Sequence, residues 1–138
     1  MAIRLIVPAS VHEALVAHAR TELPNECCGL LAGKKGEAWR AEAYHPLVNS
    51  LASPVEYASE PRSMLAALRA IDAAGQELLA VCHSHPTSAP VPSRKDLDRN
   101  PFEDSVPHVI LGLAGEPPHA RAWVLGPDSF AEAEYGIG

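Results

Sequence analysis

The sequence has no apolar run long enough to cross a bilayer, and the apolar part of its opening MAIRLIVPAS is too short for a secretion signal. A cytoplasmic protein with no membrane partner is the expectation. Cysteine is scarce: there are three, an odd number, with Cys27 and Cys28 adjacent. No disulfide framework can be read from that pattern, and reduced thiols are expected. A basic excess is also missing. The formal net charge of -6 argues against a general binder of nucleic-acid backbone, which would carry a basic face. Aromatic residues make up only 5%, and no repeat, low-complexity tract or linker interrupts the chain. With 138 residues it fits one domain, 1–138, and a chain of this size buries roughly two thirds of its unfolded surface.

Proline is what the sequence has in plenty, thirteen residues clustered in prospective loops. Between them the periodicities are legible. Ile3–Val7 reads as a strand, and Ser10 three residues before Glu13 is a capping-box pattern for a helix carrying Val11, Ala14, Leu15 and Ala19. Cys27–Ala32, closed by Gly33, reads as a buried strand, with a turn at Lys34–Gly36 and a returning strand at Glu37–Tyr44. After a loop at Pro46–Pro54, Ser59 caps a second helix with Pro61 in its first turn and an apolar stripe of Met64, Leu65, Leu68 and Ile71. Gly75 ends that helix. Leu78–Cys82 has the continuous apolar character of a central strand covered on both faces. Pro86–Pro92 must be loop, a short helix starts at Ser93, and Val106–Leu113 and Ala120–Leu125 close the series as strands. The alternation predicts a single mixed-sheet α/β or α+β domain.

The chemistry is concentrated in CHSHPTSAPVPSRKD, residues 82–96. His83 and His85 stand at positions i and i+2 at the end of a strand and project from one face, so two imidazoles can converge on one cation. Neutral imidazole suits zinc, and three protein ligands with one open place mark a catalytic site. Taken alone, His-x-His also describes two polar residues at the lip of a strand. Asp96 offers the third ligand, although Ser93 and Asp96 equally fit a helix-capping S-x-x-D. Glu26 enters a buried strand, an unusual place for a carboxylate, and could move a proton if that strand neighbours Leu78–Cys82. Ser84 should point away from both histidines, which disfavours a serine hydrolase. The three cysteines read as small core residues. His12, His18, His45, His108 and His119 lack ligand spacing and read as surface or loop residues.

Assembled, Glu26 in PNECCGLLAG, then His83-Ser84-His85-Pro86, seven residues to Ser93, and Asp96 three further on, resemble the JAMM (MPN-plus) metalloprotease family. The resemblance spans nearly the whole chain. It implies a curved mixed sheet flanked by helices, of cytidine-deaminase-like architecture, although the H-x-E and P-C-x-x-C of the deaminases themselves are missing. It implies one zinc per chain held by His83, His85 and Asp96, with Glu26 as general acid/base and Ser93 as the hydroxyl that stabilises an oxyanion. The compact length is similar to prokaryotic members that act at the Gly-Gly tail of ubiquitin-like or sulfur-carrier proteins, among them the CysO-cysteine peptidases. A hydrolase of small peptides or amino-acid conjugates, and a non-catalytic scaffold, are the alternatives.

Overall fold

The computed structural model describes residues 2–100, 102 and 104–138. Its elements run β1 (Arg4–Val7), α1 (Ala9–Glu22), β2 (Cys28–Lys34), β3 (Trp39–Leu47), α2 (Pro61–Ala73), β4 (Glu77–His85), α3 (Arg94–Asp98), β5 (His108–Gly112), β6 (His119–Leu125) and β7 (Phe130–Ile137). The strands form one curved sheet in the order β1-β3-β2-β4-β5-β6-β7, and it closes because β7 also pairs with β1. Pairing is antiparallel except for β1 with β3, β1 with β7 and β4 with β5. This is the α+β mixed sheet that the alternation of elements implies.

Two layers of side chains fix the sheet between helices. On one face Leu31, Cys82, Val109 and Leu111 pack under Val11, Leu15 and Ala19 of α1. On the other, Leu30, Ala32 and Val81 pack against Ala67 and Ile71 of α2. Leu30 and Leu31 are both wholly buried although they point in opposite directions. That is why β2 reads as a continuous apolar run rather than an alternating one. Each such leucine stabilises the fold by about 1.5–3 kcal/mol. Gly29 interrupts the run because the Tyr44 ring on β3 crosses it. A Cβ at position 29 would lie 2.2 Å from the Tyr44 hydroxyl.

Several local expectations are corrected. Pro8, not Ser10, stands at the N-cap of α1, and its carbonyl takes the amides of Val11 and His12. Ala14 lies outside the buried stripe of Val11, Leu15 and Ala19. The cap of α2 is Glu60 rather than Ser59, its carboxylate accepting from the amides of Arg62 and Ser63. Leu65 and Leu68 face outward, at 49% and 37% exposure, and Ala67 takes the core position instead. Pro46 lies within β3, opposite Gly29. It is tolerated there because β1 pairs β3 only at Trp39 and Arg40, so no ladder partner on that side needs its missing N–H. Gly75 does end α2, with a φ of 68°.

Candidate metal centre and cleft

Strand register brings the site together. Cys28 on β2 stands directly opposite His83 on β4, and the amide of Ser84 continues the pairing to the carbonyl of Cys27. Because side chains alternate along a strand, Glu26, Cys28, His83 and His85 fall on one face and Cys27, Cys82 and Ser84 on the other. Ser84 does point away from the imidazoles. It is fully buried, and its Oγ accepts the amide of Cys27 at 2.8 Å.

Asp96 arrives from α3, which a reciprocal capping box starts. Ser93 Oγ accepts from the Asp96 amide at 3.2 Å, and Asp96 Oδ2 accepts from the Ser93 amide at 2.8 Å. The cap and the cluster therefore coexist. Its two carboxylate oxygens divide between the imidazoles, Oδ1 at 3.2 Å from His83 Nε2 and Oδ2 at 3.2 Å from His85 Nε2. The two Nε2 atoms are 3.3 Å apart. His83, His85 and Asp96 are all buried.

That spacing is what a small cation needs. Ligands at about 2.0–2.1 Å from a tetrahedral ion are separated by about 3.3 Å along each edge. His85 Nδ1–H donates to the Ala89 carbonyl at 2.8 Å, which turns Nε2 toward the centre, where it pairs with Asp96 and, on giving up its proton, could ligate an ion. His83 is steadied instead by the Tyr57 ring, stacked at 4.6 Å and 25°. The donor set thus fits a divalent ion, and these are the residues that could hold one.

Electrostatics separate the carboxylates. Burial acts against the ionised form of Asp96, but hydrogen bonds from His83 and His85 prevail and hold it well below the usual carboxylate range. Burial likewise opposes the charged form of His85, and its bonds to Asp96 and Ala89 nonetheless raise it. Glu26 is 3% exposed, and burial lifts its pKa to about 8, with His85 acting in the opposite direction. A carboxyl that titrates near neutrality is suited to take and return a proton. Glu26, His85 and Ser93 line a common cleft of about 400 Å³ together with Pro54, Val55, Thr87, Ser88, Arg94 and Lys95.

All five candidate residues of the sequence thus lie at or beside one cleft. The remaining histidines divide. His12 and His18 are bonded to Tyr135 and Tyr44 at 2.8 and 2.6 Å. His108 is not a surface residue. It is 1% exposed, edge-on to the His83 ring at 6.4 Å, and burial lowers its pKa to about 4. Its place at the head of the wholly buried β5 explains this, and its apolar followers Val109–Leu111 were the available signal. Burial pushes the thiols of Cys27 and Cys28 up to about 11 and about 12, in keeping with inert core residues.

Comparison with known proteins places this geometry among relatives. Residues 8–126 match the family described as prokaryotic homologs of the JAB domain. The chain is 39% identical over 101 residues to a desampylase of Haloferax volcanii, covering 70% of this chain and 72% of that one. It is 38% identical over 122 residues to a probable TtuB-protein conjugate cleaving protease of Thermus thermophilus, covering 88% and 76%. It is 37% identical over 113 residues to a CysO-cysteine peptidase of Mycobacterium tuberculosis, covering 82% and 75%. Among solved structures, a Desulfitobacterium hafniense protein superposes with a TM-score of 0.87 at 32% identity, over 97% of this chain and 92% of that one.

Proposed function

The chain belongs to the family of prokaryotic JAB-domain homologs, and from that premise we propose that it is a zinc-dependent peptidase. Its substrate is an amide bond that follows the Gly-Gly terminus of a ubiquitin-like or sulfur-carrier protein. The observation that carries this reading is the convergence of His83, His85 and Asp96 within 3.3 Å of one another, in a cleft shared with Glu26. The relatives support the substrate class, since the names of two of them specify a conjugate, TtuB-protein and CysO-cysteine. No helix among the described residues is long and apolar enough to cross a membrane. A cytoplasmic protein acting as one domain over 1–138 fits the reading.

When bound by His83, His85 and Asp96, zinc supplies Lewis acidity, which acidifies water and polarises a carbonyl. The rest falls to the chain. Glu26 takes a proton from the attacking water and later delivers it to the leaving nitrogen, so the carboxyl ends as it began. Ser93 Oγ uses a lone pair for the Asp96 amide, and its hydroxyl proton remains to donate to the carbonyl oxygen as that atom gains charge. Such a donor lowers the barrier by about 2.7–4 kcal/mol. A Gly-Gly tail suits the cleft because glycine allows the closest backbone approach.

The substrate class is tested by offering an intact carrier conjugate and its free tail peptide side by side. Release after Gly-Gly from the intact conjugate at the higher kcat/KM is expected. Equal turnover of both would point to a hydrolase of small conjugates, and release from neither would end the proposal. Ser93→Ala separates two roles. Losing the cap lowers stability by about 0.5–2 kcal/mol, and losing the oxyanion donor lowers kcat by about 10²–10³-fold. A lower Tm with unchanged kcat would leave Ser93 as a cap alone.

A further inference from the structure

Glu26 lies outside the β2 ladder, yet the peptide groups on both sides of its Cα are held. Its N–H donates to the Ser53 carbonyl at 2.8 Å, its carbonyl accepts from Asn49 Nδ2 at 3.0 Å, and the next amide, Cys27, donates to Ser84 Oγ at 2.8 Å. Two of these three anchors come from the loop 48–60 that joins β3 to α2. Asn49 is the centre of that loop. It is only 9% exposed and uses its full bonding capacity. Nδ2 donates to the carbonyls of Glu26 and Glu56, the latter at 3.1 Å, and Oδ1 accepts from the amides of Leu51 and Ala58, each at 3.1 Å. A bridge between Asn49 and Ser59 closes the loop at its base.

The same loop reaches the rest of the site. Pro54 and Val55 line the cleft together with Glu26. Glu56 pairs with Lys95 at 3.7 Å and Arg99 at 3.4 Å, on and just beyond the helix that carries Asp96. One amide side chain therefore joins the backbone of Glu26 to the loop that lines the cleft and, through Glu56, to α3.

We propose that Asn49 is a positioning residue: it fixes Glu26 against the His83–Asp96 cluster by holding the Glu26 carbonyl, and couples that placement to loop 48–60. The proposal rests on the reading of Glu26 as the proton-transfer group. Its physical basis is the sensitivity of catalysis to geometry, where a displacement of about 1 Å can cost about 10²-fold in rate.

The experiment compares wild type, Asn49→Ala and Asn49→Asp as full chains. The aspartate keeps the Oδ1 acceptor but turns an oxygen toward the Glu26 and Glu56 carbonyls. Both variants should lose about 10–100-fold in kcat, with KM within about twofold and zinc content unchanged. Amide exchange at Cys27, Leu51 and Ala58 should quicken at least about tenfold, with and without metal, while β5 keeps its protection. In a Glu26→Gln background, Asn49→Ala should remove nothing further, because both act through one group. Full kcat in a variant whose loop amides have loosened would overturn the proposal, as would independent, multiplying losses in the double variant. If Asn49→Ala also strips protection from β5, Asn49→Asp carries the test. A wild type inactive on every conjugate would sink the functional reading, and the exchange measurement would still report whether Asn49 anchors Glu26.

Discussion

Glu26→Gln is expected to lower kcat by about two to four orders of magnitude while leaving zinc in place. The size follows from what a positioned acid/base group contributes, about 10²–10⁴-fold. The retention of metal follows from geometry, because the cluster is formed by His83, His85 and Asp96 without Glu26. Glutamine keeps the shape and the buried position but can neither accept the proton from water nor return it to the leaving nitrogen. Metal analysis and steady-state kinetics on the same preparation decide the point. Turnover within a few-fold of wild type would remove Glu26 from the mechanism, and loss of zinc would recast it as a ligand.

The same substitution makes a prediction about stability in the metal-free protein. Burial raises Glu26 from 4.5 to about 8, so the folded chain binds a proton more tightly than the unfolded one. Stability from this group is then fully present below pH 4.5 and declines as pH rises toward about 8. Glutamine does not titrate. Glu26→Gln should therefore match wild type at low pH and gain on it between those limits, read as a widening difference in Tm. A constant difference across that window would contradict the buried, protonated carboxyl.

The sequence makes the centre of the molecule legible because its signals there are local. Within β4 the apolar run Leu78–Cys82 leads directly to His83 and His85, and Ser93 with Asp96 form a cap within a single turn. The edges are harder to read. β7 is FAEAEYGI, mostly exposed and rich in alanine and glutamate, and nothing in it resembles a core strand. It is a strand because it bridges β6 and β1, a pairing between the two ends of the chain that closes the sheet. Leu65 and Leu68 fit a helical stripe as well as Ala67 does, and only the position of the sheet decides which of them is covered. The role of Asn49 is equally non-local. Its partners Glu26, Glu56 and Ala58 are set by how a loop folds over β2, which no periodicity encodes.

Asp96→Ala should abolish the stabilisation of this protein by zinc. An ion that binds only the folded state adds about 2.7 kcal/mol at a hundred times its Kd and about 4.1 at a thousand times. For a domain of this size that raises Tm by on the order of 10 °C. Asp96 supplies one oxygen to each imidazole pairing, at 3.2 Å in both cases, so its removal leaves two nitrogens 3.3 Å apart and no anionic ligand. Affinity then falls far enough that a zinc concentration saturating for wild type produces little shift. The comparison must be between chelator-treated and zinc-loaded samples of each variant, because Asp96 also accepts the Ser93 amide at 2.8 Å and its loss weakens the start of α3 whatever the metal does. That capping loss appears equally in both samples and cancels in the difference. A zinc-induced rise in Asp96→Ala equal to that of wild type would mean that the ion sits elsewhere, and the cluster of His83, His85 and Asp96 would then be a buried ion pair rather than a metal centre.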